Sequence, residues 1–264
     1  MLITLDWLNE KGACGAGKRW FEEHFPEGGE YQDVLNALAA ENSASWGQWL
    51  LQAAGPVDTV LEVNEINTDA SLFFAGRIIV KGALIVARYL FAGHGIVAGE
   101  SIVAGDGIEA GECINAGWGI NAGRNIVAGG NIVAGDGIKA GGSIVASEGI
   151  KVGEGIKAGR SISAGECINA GWGIKADHGI VAGECINAGE GIEAGWSIKA
   201  GHGIKADHGI VAGEGIKAGW SIEAGCDYGI YAGLRVRISH KKEYATIRAK
   251  EKPENIVCGE WVGN

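Results

Sequence analysis

Apolar residues recur every six positions from Val60 to Ile222, and from Ile96 to Ile222 each of these places is isoleucine, 22 times in succession. Val60, Ile66, Leu72, Ile78, Leu84 and Leu90 open the series. Two places after each isoleucine stands Ala, with Val152 the exception, and then Gly, except at Ser147, Asp177 and Asp207. The unit reads Ile-x-Ala-Gly-x-small, as in Ile114-Asn115-Ala116-Gly117-Trp118-Gly119. In an extended strand residues two apart share a side. Ile and Ala therefore face a core, while the residue between them (Val, Asn, Lys, Glu or Ser) faces out. One short strand and one turn per six residues predict a solenoid. Because only Ser and Asp replace the corner glycine, a corner with positive φ is expected there. Three sides make a coil of 18 residues, so at roughly 4.8 Å per coil residues 60–226 build about nine coils and a rod on the order of 45 Å long.

Two echoes bear on the number of sides. Cys-Ile-Asn-Ala-Gly begins at Cys113, Cys167 and Cys185, spacings of 54 and 18 that put all three copies on one side of an 18-residue coil. A flat coil of 12 would split them. The Ala-Asp-His-Gly echo at Ala176 and Ala206 is spaced by 30, fits neither coil, and reads as duplication. The fold class is mainly β: a three-sided parallel β-helix with a small α-helical N-terminal cap domain.

The two ends depart from the phrase. Residues 1–57 carry helical periodicity at Leu5 and Leu8, at Trp20, Phe21 and Phe25, at Val34, Leu35 and Leu38, and at Trp46, Trp49, Leu50 and Leu51. Three or four short helices around a Trp-rich core are expected, with Ser43 or Ser45 capping the last. So small a unit needs support, and an open solenoid end needs cover, so docking on the first coil as a cap or interaction domain is expected. The solenoid occupies 58–226, and 227–264 form a C-terminal β cap segment. There Arg235 to Ile238 and Tyr244 to Arg248 read as strands. His240, Lys241, Lys242, Arg248, Lys250 and Lys252 make a basic cluster whose plainest role is to blunt an edge.

The repeats resemble the hexapeptide repeats of left-handed β-helix proteins and the Gly-Ile-x-Ala-Gly runs of bactofilin-like polymer-forming proteins. The N-terminal pattern Trp7-Leu8, Ala13-Cys14, Gly17, Trp20-Phe21 and Trp49-Leu50 resembles a small helical module that fronts repeat proteins of bacteria and their phages. The first resemblance implies a solenoid, the second a bacterial cytoplasm or a phage-encoded origin.

Charge and composition narrow the function classes. The net charge is −10, which opposes direct nucleic-acid binding. No signal peptide is read, since Asp6 interrupts the apolar start, and Lys81 and Arg88 break the most apolar run, so no membrane span is expected. The six cysteines then suggest reduced thiols, with Cys167 and Cys185 in adjacent coils and able to pair if oxidised. No Cys-x-x-Cys is present, and no metal or cofactor is assigned. Gly12 to Lys18 matches most of a phosphate-binding loop, but Arg19 stands where a Ser or Thr should hold magnesium. His94, His178, His202 and His208 follow corners and face solvent. An acyltransferase of the hexapeptide kind needs an interrupting loop, and 28 consecutive core places carry none; no catalytic residue is assigned.

Binding is the remaining chemistry. Trp118, Trp172, Trp196 and Trp220 occupy the variable place beside a corner, where exposed indole is costly unless covered. Either a partner covers them or each lies flat over neighbouring glycine backbone. Glu112, Glu148, Glu166 and Glu184 share a column at 18 per coil, and Val127, Val145 and Val181 another that suits an oligomer interface. These residues point to a non-enzymatic rigid solenoid that engages a protein or nucleoprotein partner. A phage or mobile-element inhibitor of a host defence or DNA-processing complex is one such protein. The alternatives are a bactofilin-like self-assembling scaffold and, second, a hexapeptide-type acyltransferase.

Overall fold

A computed structural model describes residues 1–236 and 240–263. The repeat winds into a parallel solenoid of three sheets with 18 residues per coil, because Ile and Ala of each strand stack on Ile and Ala one coil away. Ile114, Asn115 and Ala116 pair with Ile132, Val133 and Ala134, and the same register holds along the rod. Face 1 runs in 11 strands from Ile66–Thr68 to Ile256–Cys258, and face 2 in 11 strands from Leu72–Phe74 to Glu260–Gly263. Face 3 has 10, from Val60–Val63 to Ile222–Glu223. Every inward Ile from Ile78 to Ile222 is buried in one continuous core.

The corners carry the inter-coil ladder as well. Gly117 N–H donates to Ala98 O at 3.0 Å, Trp118 N–H to Glu100 O at 3.2 Å, and Ile120 N–H to Gly137 O at 3.0 Å. Corner glycine is favoured by close approach and not, as the sequence suggests, by positive φ. A Cβ on Gly117 would lie 2.0 Å from the carbonyl oxygen of Gly99, one coil back. Among the described residues the positive-φ glycines are Gly12, Gly28, Gly55, Gly233 and Gly259, all outside the repeat. Ser147 and Asp177 keep the same inter-coil bond, to Ala128 O and Ala158 O.

The first coil corrects the hexad reading at its start. Val60 pairs with Arg77 and Leu61 with Ile78, so Leu61 and Val63 take the inward line, and Val60 is 57% exposed. The period therefore slips by one residue before Ile66. At the other end Ile230 stacks on Ile210 and Ile247 on Ile216, the extra residues being held in loops outside the ladder. The strand expected from Tyr244 to Arg248 forms at Thr246–Ala249, with Tyr244 instead ending a short helix. Arg235 donates its N–H to Gly213 O and Val236 to Gly233 O, a turn in place of the expected strand. Arg237, Ile238 and the side chains of Lys241 and Lys242 lie outside the described residues.

Four helices precede the rod: α1 (Leu5–Glu10), α2 (Gly15–His24), α3 (Tyr31–Ala40) and α4 (Ala44–Ala54). Thr4 caps α1 by accepting from Trp7 N–H at 3.2 Å, and Cys14 Sγ accepts from Gly17 N–H at the start of α2. Ser43 is the N-cap residue of α4, though its side chain makes no capping bond. Gly55 ends α4 with φ 77° and its carbonyl accepts from Tyr31 Oη at 3.0 Å. Burial holds the Tyr31 phenol above its ordinary range.

This helical module sits on the flank of the rod. Phe73 and Phe91 point outward from face 2 in successive coils, stack on each other at 4.9 Å, and join the helical core beside Leu35, Leu38 and Leu50. Gly47 of α4 makes room for the Phe73 ring, since a Cβ there would lie 2.6 Å from it. Gln32 locks the joint twice, donating to Phe73 O at 2.8 Å and accepting from Ala75 N–H at 2.9 Å. The inward residues Val63, Ile66, Leu72 and Phe74 of the first coil stay only partly buried.

Candidate interaction surfaces

A three-sided coil offers three faces and three edges, and each variable residue has a fixed address on one of them. Edge 1 here precedes face 1, edge 2 precedes face 2 and edge 3 precedes face 3. The four tryptophans, each 52% to 54% exposed, divide among all three edges. Trp118 and Trp172 share edge 1, Trp196 stands on edge 2 and Trp220 on edge 3, so no single contact surface gathers them.

Their surroundings differ too. Trp196 lies parallel to the His178 ring one coil back, with centroids 4.3 Å apart and planes 4° from parallel. Lys250 from the C-terminal segment sits over Trp220 with its Nζ 4.0 Å from the ring centroid, a cation–π contact. Two of the four thus contact another side chain through the ring, although all four are exposed to the same extent.

The glutamate column lies on edge 3, and the chain itself uses part of it. Glu112 pairs with Arg77 at 2.7 Å and with His94 at 3.0 Å, and Glu148 accepts from Asn131. Cys113, Cys167 and Cys185 stand in the adjoining column. There Cys167 and Cys185 form a disulfide across Cα atoms 4.5 Å apart, the one pairing that neighbouring coils were expected to allow. Stacked coils bring these side chains together whatever the surrounding sequence. Cys14, Cys113, Cys226 and Cys258 remain free.

Val127, Val145 and Val181 lie in one outward line on face 2, with Ser163 between the last two. Val145 is 37% and Val181 42% exposed. The strip starts where the helical module stops: Gln48 of α4 donates to Glu109 at 2.7 Å, one coil before Val127. Burial raises the Glu109 carboxyl above its usual range, and the Gln48 bond opposes that shift. Edge 2 beside the strip carries Arg124, Arg160 and His178, while edge 3 on its other side carries Glu148, Glu166 and Glu184.

One feature escaped the reading of single columns. Edge 1 and face 1 together form a long open groove of about 890 Å³. One wall is Asp136, Glu154, Trp172 and Glu190 of edge 1, and the other is Lys139, Lys157 and Lys175 of face 1. The floor is glycine backbone, as at Gly155 and Gly173. Setting the two columns side by side at 18 per coil would have revealed it. A second cavity, about 430 Å³, lies inside the helical module between Trp20, Trp46 and Trp49. The Gly12 to Lys18 segment forms no phosphate cradle: Gly15 to Lys18 are already helical and Lys18 Nζ donates to Asn9 at 2.9 Å. His208 stacks on Tyr228 at 4.4 Å. Among the described residues no group of three His, Cys, Asp or Glu is arranged to hold a metal ion, and no helix is long and apolar enough to cross a membrane.

Residues 1–54 match the family profile of the YdhT N-terminal domain. Over those 54 residues the chain is 39% identical to the uncharacterized protein YdhT of Escherichia coli K12, a match that covers 20% of each chain. The similarity thus belongs to the helical module and stops where the rod begins. No solved structure matches.

Proposed function

We propose that the protein acts without catalysis, as a rigid rod that presents a surface to a protein partner seated on face 2. One observation carries the reading: the outward line of face 2 passes from side chains already covered by a folded module, Phe73 and Phe91, to the uncovered valines of the same line. An exposed apolar line in a solvated rod favours a partner. Its basic edge on one side and acidic edge on the other give the contact a direction. A phage or mobile-element inhibitor of a host defence or DNA-processing complex is a narrower version. It draws support only from the resemblance of the helical module.

The test is a double variant, Val145→Lys with Val181→Lys, compared with the unaltered protein in cross-linking and capture from a bacterial lysate. A protein held by the unaltered chain and lost from the variant, with circular dichroism unchanged, supports the reading. Equal capture by both rejects face 2 as the contact.

A second reading, a self-assembling scaffold, has its own observation in the partly buried first coil. Asp58, Glu62, Glu65 and Asp69 surround that end and oppose contact between like ends. Light scattering across concentration separates the two: open-ended growth supports the scaffold, and a fixed mass rejects it.

A further inference from the structure

We propose that the groove along edge 1 and face 1 binds an extended, uncharged glycan chain. The inference concerns a different side of the rod from face 2 and does not rest on that reading. Its basis is the chemistry of the two walls. Asp136, Glu154 and Glu190 offer only acceptors when ionised, and Lys139, Lys157 and Lys175 offer only donors. Lys175 is paired with Glu193 at 2.7 Å. The remaining five make no ion pair with any described residue. A sugar hydroxyl donates and accepts at once, so a polyol lying in the groove satisfies both walls. A polyanion would meet the carboxylates, and a polycation the ammonium groups.

The free protein also bears a cost here that such a ligand relieves. Lys139, Lys157 and Lys175 stack in register on successive coils, and like charges directly opposite destabilise a sheet. Hydroxyl oxygens placed between the ammonium groups would lower that repulsion. The floor suits a flat ring: backbone without side chains at Gly155 and Gly173 lets it approach closely.

The aromatic residue supplies the third element. Trp172 lies in the groove wall with half its surface open, and the C–H face of a pyranose ring packs on indole as any apolar surface does. Trp118 stands on the same edge three coils away, roughly 14 Å at one strand spacing per coil. A linear glycan advances by about one strand spacing per ring, so one chain can reach both platforms while its intervening hydroxyls pass Asp136 and Glu154.

The test titrates the full chain with cellohexaose and chitohexaose by calorimetry, following indole fluorescence in parallel. Saturable binding of at least one is expected. Trp172→Ala should weaken it by about tenfold, in line with loss of one aromatic stacking platform, and Lys157→Gln should weaken it less. Trp196→Ala, on another edge, should leave affinity unchanged. Absence of saturable binding of both sugars at millimolar concentration overturns the proposal. So does equal affinity of the Trp172→Ala and unaltered proteins.

Discussion

From Ile96 to Ile222 each coil buries the same set of inward side chains, an isoleucine and an alanine from each side with Val152 the exception, against near-identical sets above and below. The helical module uses no contact twice. Its core mixes Ile3, Leu8, Phe21, Tyr31, Leu35 and Leu50 with Phe73 and Phe91 borrowed from the rod. Rod stability is therefore close to a sum of neighbouring-coil terms, and local damage is shared along it. The module has a small core that is incomplete without the two borrowed rings, so damage at the joint should remove it as a unit. Repetition gives tolerance, and a unique interface gives a single point of failure.

The strongest way to break the comparison is at the joint. Phe73 is fully buried beneath α4, and Phe73→Ala should cost about 3–5 kcal/mol, the range for truncating a buried Phe. The loss should fall on the module alone. Fluorescence of its tryptophans should shift red and α2 and α4 should become protease-sensitive, while the strand signal persists. Simultaneous loss of both signals would show that the rod depends on the module. Gly47→Ala probes the same joint from the other side, and an added methyl against the ring should cost about 1–3 kcal/mol.

The next effect lies within the rod. Cys167 and Cys185 join adjacent coils through a loop of 18 residues, and Cys185→Ser removes that link. The chain-entropy value for a loop of this size is about 3 kcal/mol. The neighbouring coils already hold these strands in register, so the observed loss should fall below it. Thermal unfolding with and without reductant measures this: the unaltered protein should lose stability on reduction and the variant should not respond. An equal response in both would assign the sensitivity to chemistry elsewhere.

Much of the rod was legible because its period is short and its register uniform. Every inward isoleucine from Ile78 to Ile222 stands where a spacing of six puts it. The slip at Val60 was hidden because Val60, Leu61 and Val63 are all apolar, so periodicity alone could not choose the inward pair. The corner glycines were correctly located but given the wrong cause, since contact with a carbonyl 18 residues earlier is invisible in one strand. The scatter of tryptophans was readable in principle: Trp172, Trp196 and Trp220 are spaced by 24, one coil plus one side, which moves each to a new edge. Phe73 and Phe91, 18 apart at outward places, likewise marked the docking site before any helix was placed.

The smallest expected effect sharpens the comparison by giving the joint, and not the rod, a dependence on pH. Glu109 lies at the margin of the module, where burial raises its carboxyl above the ordinary glutamate value while the Gln48 bond partly restores it. A carboxyl whose folded value exceeds its unfolded value holds its proton more tightly when the module is docked. Docking is therefore most stable below the ordinary glutamate value, weakens as pH rises through the raised folded value, and is level above it. Glu109→Gln stays neutral throughout and keeps an amide oxygen to accept from Gln48. At neutral pH the variant should dock slightly more stably than the unaltered protein, and at acid pH the two should converge. Module unfolding followed by tryptophan fluorescence, from below the glutamate value to neutrality, measures the difference. A variant that docks less stably than the unaltered protein at neutral pH, with the difference vanishing toward acid, would mean that the ionised carboxylate, held by Gln48, is the form the joint prefers.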